Sequence, residues 1–152
     1  YHILQEKEMI EFVLLVNKQG QTRLSKYTDS ANNEEGRLDR AARLYNEAEI
    51  VRKCLKRSDK ETNYIEHQGT RVVYRRYASL FFMVGVDENE NELAILEFIH
   101  CLVEIMDRWF GNVCELDIMF SLDAVREYLF VFLVAVVDVY SLRNFRLSKR
   151  CC

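Results

Sequence analysis

Apolar and polar positions divide this chain into short runs of two different periods. Met9–Val16 (MIEFVLLV) is a nearly continuous apolar run rich in β-formers, and Asn17–Gly20 supplies a glycine-bearing turn. Gln21–Tyr27 (QTRLSKY) then alternates, with Thr22, Leu24 and Lys26 on one side and Arg23, Ser25 and Tyr27 on the other. Run, turn and alternation together predict a β-hairpin. Thr28–Gly36 (TDSANNEEG) reads as a loop. Beyond it, Leu38, Ala41, Ala42, Tyr45, Ala48, Val51 and Leu55 recur at helical spacing until the polar cluster Ser58–Asn63. Two more strand signals follow: Tyr64–His67 leads through Gln68-Gly69 into Arg71–Tyr77. A third, Ser79–Val86 (SLFFMVGV), is apolar enough to sit centrally in a sheet with both faces covered. Asp87–Asn91 (DENEN) is an acidic turn suited to the start of a helix.

That helix, about Glu90–Phe110, carries two adjacent apolar stripes. Ile95, Phe98, Leu102, Ile105 and Trp109 form one; Leu96, Ile99, Val103, Met106 and Phe110 form the other. At about 100° per residue they cover roughly half the cylinder, wider than the stripe of an ordinary surface helix. Either another helix of this chain or a partner protein must cover the excess, and Phe98, Leu102, Ile105 and Trp109 are the candidate partner interface. Asn112–Leu129 begins a further amphipathic helix through Leu116, Met119, Phe120, Val125 and Leu129. Hairpins dominate and βαβ alternation is missing. The order predicts an α+β domain with an antiparallel sheet flanked by helices.

Composition narrows the function classes. The chain has 152 residues, the length of one domain; it is 49% hydrophobic and 30% charged, a globular balance. Its formal charge of −3 argues against a general nucleic-acid binder, which needs a basic face to displace counterions. Proline is absent, which excludes proline-rich ligand segments. Cys54, Cys101, Cys114, Cys151 and Cys152 are odd in number and form no CxxC pair, so the expectation is a reduced, cytosolic protein without a zinc site. Tyr1–Glu8 lacks the apolar core of a signal peptide. The 13-residue run Tyr128–Tyr140 is shorter than the ~20 residues that span a bilayer.

Catalytic patterns are weak. The isolated glycines make no phosphate-binding loop or nucleophile elbow. His100 with Cys114 and Asp117 is the one imaginable cysteine–histidine pair, but a free cysteine more often packs as a small hydrophobe. Glu88, Glu90 and Glu92 read as a solvated helix start before they read as a metal site. Arg71, Arg75 and Arg76 form a basic cluster suited to an anionic head group or a phosphate, against the commoner reading of surface solvation. No cofactor is expected.

Four stretches carry a family resemblance: VNKQGQTRLSKY (Val16–Tyr27), VVYRRYASLFFMVGV (Val72–Val86), ENELAILEFIHCLVEIMD (Glu90–Asp107) and NVCELDIMF (Asn112–Phe120). Together they resemble the small (sigma) subunits of the heterotetrameric adaptor protein complexes. Within that family the first stretch, EIVRKCL and FFMVGVDENENELAILEFIH look most like adaptor protein complex 4. The resemblance implies a longin-like fold, with a five-stranded antiparallel sheet and helices on its faces. It implies a non-catalytic subunit packed into a large adaptin chain beside a second large chain and a medium (mu) chain. Such a coat selects cargo as a peripheral assembly on trans-Golgi network and endosomal membranes. By the same resemblance, Arg23 lies where related chains meet the acidic residue of a cargo dileucine signal, and Ala78, Leu80, Val103, Asn112, Val113 and Ile118 lie around its leucines. The alternatives are the sigma subunit of a clathrin-associated complex and a longin-type regulatory module of a vesicle-fusion protein. The missing SNARE heptads weigh against the latter.

Three departures from the family pattern stand out. Residues 1–8 precede the methionine at which relatives usually start, the Thr28–Ala48 region is longer, and the resemblance fades near Tyr128. The expected organisation is therefore an extension over 1–8, a longin-like domain over 9–129 and an atypical tail over 130–152. Cys151-Cys152, after Arg143, Arg146, Lys149 and Arg150, resembles a doubly prenylated terminus, but an altered exon boundary is the simpler reading of that tail.

Overall fold

The computed structural model describes residues 9–28, 40–111, 114–121, 123–129, 131–132 and 135. The extension over 1–8, most of the Thr28–Gly36 loop, Asn112, Val113 and nearly all of the tail lie outside the described residues. In chain order the elements are β1 (Ile10–Asn17), β2 (Thr22–Tyr27), α1 (Arg40–Leu55), β3 (Tyr64–His67), β4 (Thr70–Tyr77), β5 (Leu80–Asp87), α2 (Glu92–Phe110) and α3 (Glu115–Phe120). A further helical run occupies residues 123–129. The five strands make one antiparallel sheet in the order β2-β1-β5-β4-β3. The expected α+β architecture, a five-stranded antiparallel sheet flanked by helices, is the one observed.

The sheet is covered on both faces, which explains why β5 reads as an unbroken apolar run. On one face Phe12, Leu14, Val16, Val72, Tyr74 and Met83 pack against Ile50, Val51 and Cys54 of α1. On the other, Val13, Leu15, Val73, Phe82 and Val84 pack against α2. Ile118 of α3 and Val125 and Leu129 of the last helical run join that second core. Phe132 stacks on Phe98 at 5.2 Å between ring centroids, and Tyr128 lies 4.9 Å from Trp109. The chain's own C-terminal helical residues thus cover much of the broad apolar side of α2. Of the two coverings the pattern left open, an internal helix accounts for Phe98 and Leu102.

Local chemistry sets the helix ends. The Asn91 carboxamide accepts from Leu93 N at 3.0 Å, so α2 begins at Glu92, two residues later than expected. Gly111, at φ +63°, closes it by donating its N–H to the Asp107 carbonyl. The single amphipathic helix expected from Asn112 is two segments, because Ser121 leaves helical geometry at φ −123°, ψ +31°. Its N–H ends the first segment on Asp117 O, and its carbonyl accepts Val125 N at the start of the second.

Two irregularities bend β1 and its neighbours. Between Ile10 and Phe12 the β1–β5 register slips, leaving Glu11 as the extra residue. Between Leu15 and Val16 the β1–β2 register moves from Leu24 to Thr22, leaving Arg23 as the extra residue on β2.

Candidate functional site

The bulge at Arg23 starts the site. Regular alternation would place Arg23 on the same side as Tyr27, which packs on the α1 face. As the bulged residue it reaches α3 instead. Its Nε donates to Glu115 Oε1 at 2.9 Å, and its Nη2 lies 2.8 Å from the same oxygen. Asn17, at the end of β1 and only 2% exposed, joins this knot. Its Nδ2 donates to Glu115 Oε1 at 3.0 Å and to Gln21 Oε1 at 2.9 Å, while its Oδ1 accepts the backbone N–H groups of Gln19 and Gln21. One asparagine therefore ties the β1–β2 turn to the first residue of α3. The donors from Asn17 and Arg23 hold the Glu115 carboxyl below its usual range.

Beneath the knot, three of the positions expected around a leucine signal share one core: Leu80 of β5, Val103 of α2 and Ile118 of α3 are all buried, Ile118 completely. Ala78 is exposed in the β4–β5 turn at φ +52°, where its carbonyl accepts Arg76 Nε at 3.0 Å. Asn112 and Val113 lie outside the described residues. The geometry brings Arg23 to α3 and joins the three apolar positions, and in this arrangement their places are filled by the chain itself. The Asn17 and Glu115 roles were missed by the sequence reading, since neither the bulge nor a contact across 98 positions leaves a local signal.

The four residues of α2 expected at a partner interface divide. Phe98 and Leu102 are buried inside the chain's own core and offer it no surface, whereas Ile105 is half-buried and Trp109 is 62% exposed. On α3, Leu116, Met119 and Phe120 are exposed as well, Phe120 at 86%.

The other candidate chemistry separates. His100 contacts Tyr77 OH through Nδ1 (3.3 Å) and Glu104 through Nε2 (3.4 Å), whereas Cys114 caps α3, its N–H donating to Asp117 Oδ2 at 2.9 Å. The two serve different local structures and make no cysteine–histidine pair. Burial pushes the Cys54 thiol up to about 12, away from thiolate reactivity. Among the described residues no group of three His, Cys, Asp or Glu side chains is placed to hold a metal ion, and no helix is long and apolar enough to cross a membrane.

A bulged hairpin and a five-stranded antiparallel sheet with helices on both faces define a small α+β domain. Residues 9–138 match the family model of the clathrin adaptor complex small chain. The chain is 62% identical over 114 residues to the AP-4 complex subunit sigma of Arabidopsis thaliana, covering 75% of each. It is 50% identical over 117 residues to the AP-4 complex subunit sigma-1 of Homo sapiens, covering 77% of this chain and 76% of that one. In three dimensions it resembles one chain of a homology model of the full-length AP-3 complex in a stretched open conformation. The TM-score there is 0.61 at 25% identity, over 93% of this chain and 99% of that one. The chain belongs to the clathrin adaptor complex small chain family, and within it is most similar to sigma subunits of AP-4 complexes.

Proposed function

We propose that this chain works as the non-catalytic small subunit of a complex 4-type adaptor, held with two large adaptin chains and a medium chain on trans-Golgi network or endosomal membranes. The observation that carries the reading is the exposure of large apolar side chains on successive helices, Trp109 of α2 and Leu116, Met119 and Phe120 of α3. Large apolar side chains left exposed on successive helices favour a covering partner. Family membership supports a large adaptin as the chain that covers it.

Within that assembly Arg23, Ala78, Leu80, Val103, Asn112, Val113 and Ile118 remain the proposed receptor for acidic dileucine signals. An incoming acidic residue must take Arg23 from Glu115, and incoming leucines must displace Ile118 from beside Leu80 and Val103. Signal binding is therefore coupled to movement of α3, and the arrangement described is the closed one.

Affinity purification of the tagged chain from its own cells tests the proposal. Stoichiometric recovery of two large adaptins and a medium chain is the expected result, and the identity of the large chains separates complex 4 from the clathrin-associated complexes. Phe120→Asp should abolish that recovery while leaving the fold intact by circular dichroism. Recovery of a soluble monomer with no adaptin from the unaltered chain overturns the reading.

A further inference from the structure

The three arginines that stood out as a basic cluster do not act together. Arg71 is consumed: its Nη1 lies 2.8 Å from Glu92 Oε1, its Nη2 3.2 Å from Glu66 Oε1, and its guanidinium sits over the Tyr64 ring. Arg76 is differently placed. Its Nε donates to the Ala78 carbonyl and its guanidinium lies over Phe81, with no carboxylate paired to it among the described residues. It lines a cleft of about 310 Å³ between the C-terminal end of α1, the Ser58–Asn63 loop and the β4–β5 hairpin. Arg57 lines the same cleft from the opposite side. Its Nη2 donates to Thr62 Oγ1 at 2.9 Å and Thr62 O at 3.3 Å, and its guanidinium also bonds the Tyr74 side chain, which holds the charge at the wall of the cleft. Arg75 borders the cleft through β4, but its guanidinium stacks 5.3 Å from the Tyr77 ring centroid on the α2 face and adds no charge to it.

The acidic residues of the cleft do not neutralise these cations at close range. Glu61 spends one oxygen on Ser58 N at 2.7 Å, and the other lies 4.0 Å from Arg57 Nη2. Asp59 is exposed at the rim. Leu55 and Phe81 supply an apolar wall. Guanidinium groups from two separate elements lining one cleft suit the several oxygens of a phosphate. The volume lies at the small end of the roughly 300–1,000 Å³ range of ligand clefts. It is therefore suited to a phosphate carried on a small ring, with Glu61 and Asp59 as acceptors for ring hydroxyls.

We propose that the cleft between Arg57 and Arg76 binds a phosphate monoester of a small polyol, either free in solution or as the head group of a lipid. The cleft lies on the α1 side of the sheet, away from α2 and α3, so the proposal stands apart from the adaptor reading.

Titration calorimetry on the full chain with inositol 1-phosphate, inorganic phosphate and inositol tests the site. Flotation with phosphatidylcholine vesicles, with and without phosphatidylinositol 4-phosphate, separates the two sources. Saturable binding of inositol 1-phosphate, stronger than that of phosphate and absent for inositol, is the expected result. Arg76→Gln should weaken it about tenfold, the loss of one charge-assisted hydrogen-bonding group. Arg57→Lys, which keeps the charge but loses the forked donor, is the second variant and should weaken it less. Arg52→Gln, on α1 but outside the cleft, should change it about twofold or less. Vesicle retention that depends on Arg76 assigns the lipid source; soluble binding without retention assigns the free one. The proposal fails if the folded chain binds neither phosphate ester nor vesicles, or if Arg52→Gln weakens binding as much as Arg76→Gln.

Discussion

At the scale of single residues, Gly85 shows how one missing side chain permits the packing around it. A Cβ built there would overlap the Phe12 ring, and Phe12 is itself buried against Tyr27 at 5.6 Å between centroids. Gly85→Ala should therefore destabilise the domain by about 1–3 kcal/mol, the usual cost of overpacking a filled core. Chemical denaturation measures this, and combining the change with Phe12→Leu should recover part of the loss; additive losses would refute the contact. Burial of the apolar runs was legible in the sequence because their period-2 and unbroken patterns report how many faces of a strand are covered. The placement of Arg23 was not, because a one-residue bulge re-aims a side chain without altering composition or period. The same holds for Asn17, which reads as an ordinary turn residue and is a buried junction between two distant parts of the chain.

At the scale of elements, the helical run over 123–129 completes α2. Leu129 is fully buried beside Val125 and the α2 core, so Leu129→Ala should cost about 2–5 kcal/mol. Leu93, 74% exposed near the start of α2, serves as the control: Leu93→Ala should shift stability by no more than about 0.5 kcal/mol. Equal effects at the two positions would mean that the last helical run does not cover α2. The breadth of the apolar stripes announced that α2 needed a second covering, and the sequence left internal and external coverings open. The structure shows the internal covering, Phe98 facing the chain's own Phe132, and leaves Trp109 of α2 and Leu116, Met119 and Phe120 of α3 exposed. Periodicity reports that a face is apolar, and the path of the chain beyond it decides what lies against that face.

For the whole molecule, the shifted groups define a window of stability. Burial, with help from the neighbouring Lys53, lowers the His67 pKa from 6.5, although Glu49 opposes it. The folded state holds this ring neutral, so stability is full above about pH 6.5 and declines below it as the unfolded chain takes up a proton. Glu115 and Asp117 are held low by their hydrogen bonds, and their contributions exist above their ordinary pKa values and disappear as pH falls through the folded ones. Glu90, raised by burial and by Asp87, works in the opposite sense. On the alkaline side Cys54 and Tyr27 are raised chiefly by burial, so stability falls as pH climbs past their ordinary values of 9.0 and 10.0. Thermal melts across pH should show a plateau between about 6.5 and 9, and His67→Asn should remove the first acid step while leaving the second. A plateau extending unchanged below pH 6 in the unaltered chain would contradict this account.

The open sheet has a further consequence for how such a molecule meets others. An exposed strand edge invites a neighbouring backbone to add itself, whether as a partner's strand or as the start of an aggregate. Here the two flanking strands are β3, four residues long, and β2, broken by its bulge and carrying Lys26. Neither offers a long, regular ladder of free backbone groups. Association by strand addition is thereby discouraged, and side-chain surfaces on the helices are left as the favoured route to a stable neighbour.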